Sequence, residues 1–130
     1  MPATYLDSSA LVKLAIDEPE SAALRRHVRR RRPVVSSALA RTEVLRALLL
    51  EGDEGVARGR AVLGRVELVR VNERVLNSAG VLLPPELRSL DAIHLATARQ
   101  LGGDLGHIVT YDEKMLDAAK RLGLKTASPA

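Results

Sequence analysis

Four acidic residues, spread along the chain, are of the type that can hold a metal ion. They are Asp7, Glu43, Asp91 and Asp112. Carboxylates that a fold brings together repel one another and raise one another's pKa, so a cation is expected among them. Because the sequence contains no cysteine, oxygen would supply the ligands, which favours Mg²⁺ or Mn²⁺. Mg²⁺ usually keeps several waters in proteins, and this leaves room for a phosphate oxygen.

Each of these acids, taken singly, also has an ordinary structural interpretation. Asp7 could serve as a turn residue or a helix cap, and Asp112 could cap the helix that follows it. Asp91 could complement the positive end of a helix dipole. Glu43 could be a surface residue paired with Arg46, three positions further on. The four together, rather than any one of them, favour a shared site.

Short strand-like runs alternate with helical segments along the whole chain. The predicted strands are 3–6, 34–36, 66–71, 107–110 and a short one at 124–126. The predicted helices are 10–16, 19–31, 37–50, 53–64, 73–82, 89–101 and 113–122, and Asn72 can cap the one that begins at Glu73. This alternation predicts an α/β fold with a parallel sheet that is covered by helices on both faces. A length of 130 residues predicts a single domain spanning 1–130.

The predicted elements can bring the acids to one edge of the sheet. Asp7 and Asp112 lie at the ends of two predicted strands, and sites in open α/β sheets form at the carboxyl ends of strands. Asp91 stands in the first turn of a helix for which Ser89 is the expected N-cap, so its carboxylate could reach the same edge.

Glu43 is the acid whose placement depends most on a helix face. It lies within the predicted helix 37–50, where Leu39, Ala47 and Leu50 share roughly its side. Apolar neighbours at this spacing predict that Glu43 does not face solvent alone.

The composition narrows the classes of function. With 46% hydrophobic and 28% charged residues, the chain is expected to fold as a globular protein. Aromatic residues make up only 2%, which argues against modules that stack bases on aromatic platforms. We expect a cytoplasmic protein, because neither a secretory leader nor a membrane-spanning run is evident. The net charge of +4 is compatible with a polyanionic partner.

Four stretches resemble the motifs of PIN domains, and among these the VapC toxins of bacterial and archaeal toxin–antitoxin pairs. They are LDSSALVKL at 6–14, TEVLRAL at 42–48, LDAIHLATA at 90–98 and VTYDEKML at 109–116. Each motif is weak alone, but the set occurs in the order of the family and covers nearly the whole chain. None of the acids of the family pattern is missing.

The resemblance implies a three-layer α/β/α sandwich with a short parallel central sheet, and a Mg²⁺-dependent endoribonuclease. It also implies an RNA substrate, a VapB-like antitoxin that covers the groove, and a homodimer. The residues to which it assigns roles are Asp7, Glu43 and Asp91 as the main acidic cluster, Asp112 as the fourth acid, and Ser8 and Thr110 as supporting hydroxyls. The alternative is a PIN-like module that binds RNA or protein without cleaving it.

A dense basic run occupies residues 25–32. Its candidates for contact with an RNA backbone are Arg25, Arg26, Arg29 and Arg30, and the alternative is a solvated helix end.

Two other features of the sequence leave alternatives open. The apolar residues Leu11, Leu14, Leu24 and Val28 could pack in the core or form part of a groove for an antitoxin helix. His94 lies one turn after Asp91, but the resemblance assigns metal binding to the acids.

Overall fold

The computed structural model describes residues 2–130, and within them five strands alternate with seven α-helices. The strands are β1 (Ala3–Leu6), β2 (Val34–Ser37), β3 (Glu67–Val69), β4 (Leu105–Val109) and β5 (Thr126–Ala127). The helices are α1 (Ser8–Ala15), α2 (Ser21–Arg29), α3 (Ala40–Leu48), α4 (Gly52–Leu63), α5 (Glu73–Gly80), α6 (Ser89–Gln100) and α7 (Glu113–Arg121). Short 3₁₀ turns at Leu49–Glu51 and Gly102–Asp104 lead into α4 and β4.

All strand pairs of the sheet are parallel, in the order β3-β2-β1-β4-β5. The central strand β1 is buried along its whole length, so residues on both of its sides are apolar or hydrogen-bonded. Its neighbours in the sheet are β2 and β4. The three-layer α/β/α sandwich predicted from the sequence is therefore confirmed.

Two helical layers cover the faces of the sheet, because successive strand residues point to opposite sides. Leu6 and Val109 pack into a cluster with residues of α1, α2, α3 and α4. Tyr5 and Ile108, one residue earlier in each strand, pack against α6 and α7. Helix α5 is held against α6 by a smaller cluster that includes Val75.

Several helix starts differ from the sequence-based expectation. Ser37 ends β2 instead of opening a helix, and α3 begins at Ala40. Ser89 is the first residue of α6 and not its N-cap; Arg88 occupies the cap position and makes no side-chain capping bond. In contrast, Asn72 caps α5 as its side chain accepts from the N–H of Val75. Arg88 and Asn72 are both extended, but only Asn72 has a short side chain with an oxygen that can accept from the first turn of the helix.

None of the helices found between residues 2 and 130 has the length and apolar character needed to cross a bilayer.

Candidate active site

Asp7 anchors the site at the carboxyl end of the central strand. It directly follows β1, and its backbone N–H donates to the carbonyl oxygen of Val109 at the end of β4, at 3.3 Å. Its side chain is the N-cap of α1, with Oδ1 accepting from the N–H of Ala10 at 2.9 Å and from Ser9 Oγ at 2.7 Å. Asp7 is almost fully buried, so these bonds fix the direction of its carboxylate.

Thr110 connects two of the acids through one hydroxyl group. Its Oγ1 donates to Oδ2 of Asp7 at 2.6 Å and accepts from the backbone N–H of Asp112 at 3.2 Å. Asp112 in turn caps α7, because its Oδ1 accepts from the N–H of Met115 at 3.0 Å. Asp7 and Asp112 therefore do both things that the sequence allowed: each caps a helix, and each lies at the same edge of the sheet.

Glu43 reaches this edge from the adjacent helix α3. Its Oε1 accepts from Ser8 Oγ at 2.7 Å and bonds His94 Nε2 at 2.8 Å. Burial raises the pKa of Glu43, but the hydrogen bonds from His94 and Ser8 outweigh it and hold the pKa below its ordinary value. The partner of Glu43 is thus a histidine of α6, and not Arg46.

The predicted helix face of Glu43 was wrong in part. The buried residues of α3 are Ala40, Val44 and Leu48, whereas Ala47 and Leu50 are exposed. Glu43 is instead turned inward at the border of that buried face, where α6 supplies a polar partner.

Asp91 and Asp112 are joined by a single guanidinium group. Arg88 Nε lies 3.4 Å from Oδ2 of Asp91, and Arg88 Nη2 lies 3.4 Å from Oδ2 of Asp112. Burial raises the pKa of Asp91; the neighbouring carboxylates of Asp112 and Asp7 raise it further, and Arg88 opposes them without cancelling the shift. The carboxylates of Asp91, Asp112 and Asp7 therefore lie close enough to interact electrostatically.

The four acids share one edge of the sheet but are not arranged as a ready-made metal centre. In the part of the chain that the structure describes, no three acidic or histidine side chains form a group that could hold a metal ion. Thr110 bonds Asp7, and Arg88 bonds both Asp91 and Asp112. What the arrangement offers is a set of carboxylate oxygens with excess negative charge, which suits a hard divalent cation once Arg88 moves aside.

The predicted RNA-contact arginines lie elsewhere on the molecule. Arg25 pairs with Asp17 at 2.9 Å. Arg29 lines an open groove on α2, and Arg26 and Arg30 line a second one beside the carboxyl-terminal residues. Helix α2 ends shortly before β2 begins, so only the last residues of the basic run, next to Pro33, lie at the amino end of that strand. Among residues 2–130, these four arginines make no hydrogen bond to the four acids.

The apolar residues near the basic run differ in burial. Leu11 and Leu24 are fully buried and belong to the core. Leu14 and Val28 are partly buried and line the groove on α2 together with Val62. Four arginines border this groove, namely Arg25, Arg29, Arg32 and Arg65.

Besides Ser9, which donates to Asp7, the side chains of His94 and Arg88 bond directly to the acids and were not assigned a role from the sequence. His94 is 1% exposed and bonds Glu43, and Arg88 bonds Asp91 and Asp112. His94 could have been found by its position, since a histidine on the apolar side of a helix needs a polar partner in the core. Arg88 carries no such signal, because an exposed arginine before a helix is common.

The chain, with its parallel five-stranded sheet and the acids at the carboxyl edge, can now be compared with known protein families. The model of the PIN domain matches residues 4–121, and the chain belongs to that family. Within it, the chain is 61% identical to ribonuclease VapC46 of Mycobacterium tuberculosis over 130 residues, the whole of both chains. It is also 38% identical to ribonuclease VapC47 of the same species over 96% of each chain. These relatives place it in the VapC group.

Solved structures agree on the fold at much lower sequence identity. The crystal structure of M. tuberculosis VapC20, a sarcin–ricin loop cleaving toxin, matches with a TM-score of 0.72 and 17% identity. The match covers 88% of this chain and 94% of VapC20. A chain of a toxin–antitoxin complex from Klebsiella pneumoniae matches with a TM-score of 0.72 and 20% identity over 98% of both chains.

Proposed function

We propose that this protein is a Mg²⁺-dependent endoribonuclease, the toxin of a VapBC-type pair, acting on RNA in the cytoplasm. Membership of the PIN family and identity to named VapC ribonucleases over full length support the class of reaction. The observation that carries the site is geometric: one guanidinium, that of Arg88, lies 3.4 Å from Oδ2 of both Asp91 and Asp112, and Thr110 links Asp112 to Asp7. Carboxylates that one cationic group already bridges are candidates for binding a metal cation.

The donor set fits Mg²⁺ or Mn²⁺. Asp7 and Asp91 would hold the main metal ion, and Glu43 would bind it directly or through water. Asp112 would hold a second ion or position the attacking water. All of these ligands are carboxylate oxygens, which hard cations prefer. A bound divalent cation would lower the pKa of a coordinated water and stabilise the charge on the phosphoryl group and leaving oxygen.

The surrounding residues fix the directions of these carboxylates before any substrate arrives. Thr110 and the N–H of Ala10 hold Asp7 from two sides, so the side chain cannot rotate without losing bonds. Ser8 does the same for Glu43 through Oε1. Carboxylates that are already oriented lose less conformational entropy in the transition state. This preorganisation is the main contribution of a protein to a metal-assisted hydrolysis.

Arg88 has to release Asp91 and Asp112 before both can bind a cation. Its side chain is 77% exposed, so it is free to move into solvent or toward a phosphate group. We therefore assign it two positions: between the acids in the metal-free protein, and at the substrate phosphate in the complex.

The groove on α2 is the proposed contact for the antitoxin. Leu14, Val28 and Val62 give it an apolar floor, and the four bordering arginines make it positive. A VapB-like segment with apolar and acidic side chains would fit both features. The toxin–antitoxin complex among the structural matches supports such a partner for the fold. A homodimer is proposed from the family resemblance alone.

An RNA backbone is the competing occupant of the basic surface formed by Arg25, Arg26, Arg29 and Arg30. These arginines make no hydrogen bond to the four acids within residues 2–130, so they would bind phosphates of the RNA other than the scissile one. Phosphate contacts of this kind would make affinity fall steeply with salt. Charge reversal at Arg29 and Arg30 tests it: unchanged RNA affinity and salt dependence would exclude RNA contact by this surface.

The second candidate function is a PIN-like module that binds RNA or protein without cutting. The two are separated by incubating the purified protein with total RNA in Mg²⁺ or in EDTA and mapping the new 5′ and 3′ ends. We expect discrete cleavage sites in Mg²⁺ and none in EDTA. Binding of RNA without any Mg²⁺-dependent ends would establish the non-catalytic module.

A further inference from the structure

A chain of buried polar groups runs from the central strand to the acidic edge. The hydroxyl of Tyr5 lies 2.7 Å from Nδ1 of His94, and Nε2 of His94 lies 2.8 Å from Oε1 of Glu43. Tyr5 and His94 are 0% and 1% exposed, so water cannot replace either partner. The two rings meet edge to face, with centroids 5.9 Å apart, and this contact fixes the plane of the imidazole.

The partners of the imidazole define where its protons lie. A carboxylate only accepts, so the 2.8 Å bond to Oε1 of Glu43 requires a hydrogen on Nε2 of His94. In the neutral ring Nδ1 is then the acceptor, and the Tyr5 hydroxyl donates to it at 2.7 Å. A hydrogen bond at one ring nitrogen commonly selects the tautomer that presents the other nitrogen to its partner.

Glu43 receives this support on one oxygen only. Both Ser8 and His94 bond Oε1. The two donors on Oε1 fix the direction of the carboxylate, and Oε2 remains available as a ligand at the acidic edge. The bond between His94 and Ser8, at 3.1 Å, closes the group into a triangle.

We propose that His94 is a positioning residue for Glu43, held by Tyr5 in the tautomer that carries its hydrogen on Nε2. It touches neither substrate nor metal ion; it acts by fixing the direction of the Glu43 carboxylate. This inference rests on the proposed function, because the carboxylate it orients is one of the proposed metal ligands. Outer partners of metal ligands typically change metal affinity by about 10- to 100-fold when removed.

The first test is a double-mutant cycle on Mn²⁺ affinity, measured by titration calorimetry without RNA. His94→Leu should weaken Mn²⁺ binding by about 10-fold in the wild-type background. The same substitution should have no further effect when Glu43 is already Gln, because its effect passes through that carboxylate. His94→Gln retains a donor and should restore part of the affinity. Leu95→Val, on the same helix and buried, is the control for a general loss of packing.

The second test is spectroscopic and needs no metal. Long-range ¹H–¹⁵N spectra of the imidazole should show the Nε2–H tautomer in the wild type. Tyr5→Phe keeps the ring and removes only the hydroxyl, so it should fold and should shift His94 toward a mixture of tautomers. Tyr5→Phe should weaken Mn²⁺ binding when Glu43 is present. It should leave Mn²⁺ binding unchanged when it is combined with Glu43→Gln.

The outcomes separate this inference from the proposed function. Equal losses of Mn²⁺ affinity from His94→Leu in both backgrounds, or a wild-type His94 with its hydrogen on Nδ1, would overturn the positioning role. Failure of Glu43→Gln itself to alter Mn²⁺ affinity would overturn it too. Absence of RNA cleavage by a wild-type protein that passes both tests would instead refute only the ribonuclease assignment.

Discussion

The hydroxyl oxygen of Thr110 lies 2.6 Å from Oδ2 of Asp7, although 103 residues separate them in the chain. Both residues are buried, and each directly follows one of two adjacent parallel strands. The bond is charge-assisted and links the ends of these strands at the acidic edge. It therefore couples the stability of the fold to the geometry of the site.

Replacing Thr110 by Val tests this coupling, because the shape is kept while the hydroxyl, which donates to Asp7 and accepts from the N–H of Asp112, is lost. A buried carboxylate oxygen without its partner should lower the free energy of unfolding by about 1–3 kcal/mol. Urea unfolding at neutral pH measures it, with Thr110→Ser as the variant that keeps the donor. Thr42→Val, at an exposed position, should change stability by no more than about 0.5 kcal/mol. Equal stability of the Val and Ser variants would mean that the bond contributes nothing.

Asp91→Asn should stabilise the metal-free protein at neutral pH. A raised pKa means that the ionised carboxylate is less favourable in the folded chain than in the unfolded one, so above that pKa Asp91 costs stability. The gain should vanish as pH falls below about 4, where the carboxyl group is protonated in both states. Thermal unfolding in EDTA checks it, with Asp117→Asn on exposed surface as the control. A variant less stable than the wild type at pH 7 would contradict the electrostatic account.

Arg88→Gln should tighten Mn²⁺ binding in the absence of RNA. The guanidinium group bonds both Asp91 and Asp112 in the metal-free protein and so competes with a cation for them. Because the side chain is largely exposed, we expect an increase of at most about fivefold, equivalent to about 1 kcal/mol. Arg88→Lys keeps the charge, so its Mn²⁺ affinity should lie between those of the wild type and Arg88→Gln. Calorimetry that finds weaker binding in Arg88→Gln would exclude competition and assign Arg88 a supporting role.

The protein should lose stability as pH falls through about 6.5, because of a histidine pair remote from the acids. Nε2 of His27 lies 2.8 Å from Nε2 of His107, and burial lowers the pKa of both, with Arg31 adding to the effect. A lowered pKa means that the unfolded chain binds more protons at mildly acidic pH, so unfolding is favoured there.

His107→Gln should reduce this loss, since it removes the histidine whose pKa is lowered by burial and also by its histidine partner. Urea unfolding above pH 7 and at about pH 5 gives the difference in each protein. A pH dependence that is the same in the wild type and in His107→Gln would show that the pair does not set it.

The order of the strands and helices was predictable from the sequence. Apolar runs such as the one before Asp7 alternate with helical segments, and a parallel sheet covered by helices on both faces follows from that alternation. The capping role of Asn72 was also predictable, since an asparagine just before a helix commonly accepts a hydrogen bond from the first turn. Helix starts were less accurate: Ser89 has the right chemistry for a cap, but the chain turns into the helix one residue earlier, at Arg88.

The acids could be named from the sequence, but their partners could not. Asp7 and Asp112 are placed by strand ends, which are visible in the sequence. The bond from His94 to Glu43 joins α6 to α3 across 51 residues, and only the packing of the helices brings these side chains together. The contact between the basic run and RNA stays a prediction, because a cluster of arginines on α2 has the same sequence signature whether it binds phosphate or lies in solvent.

Cleavage of one defined RNA by Asp91→Asn and by Asp117→Asn, side by side at saturating Mg²⁺, tests the central claim most directly. Each variant removes one carboxylate charge, but only Asp91 belongs to the acidic edge, while Asp117 is exposed on α7. We predict that Asp91→Asn stays folded and loses Mg²⁺-dependent cleavage, whereas Asp117→Asn cleaves like the wild type. A folded Asp91→Asn protein with full activity would contradict the assignment of the site.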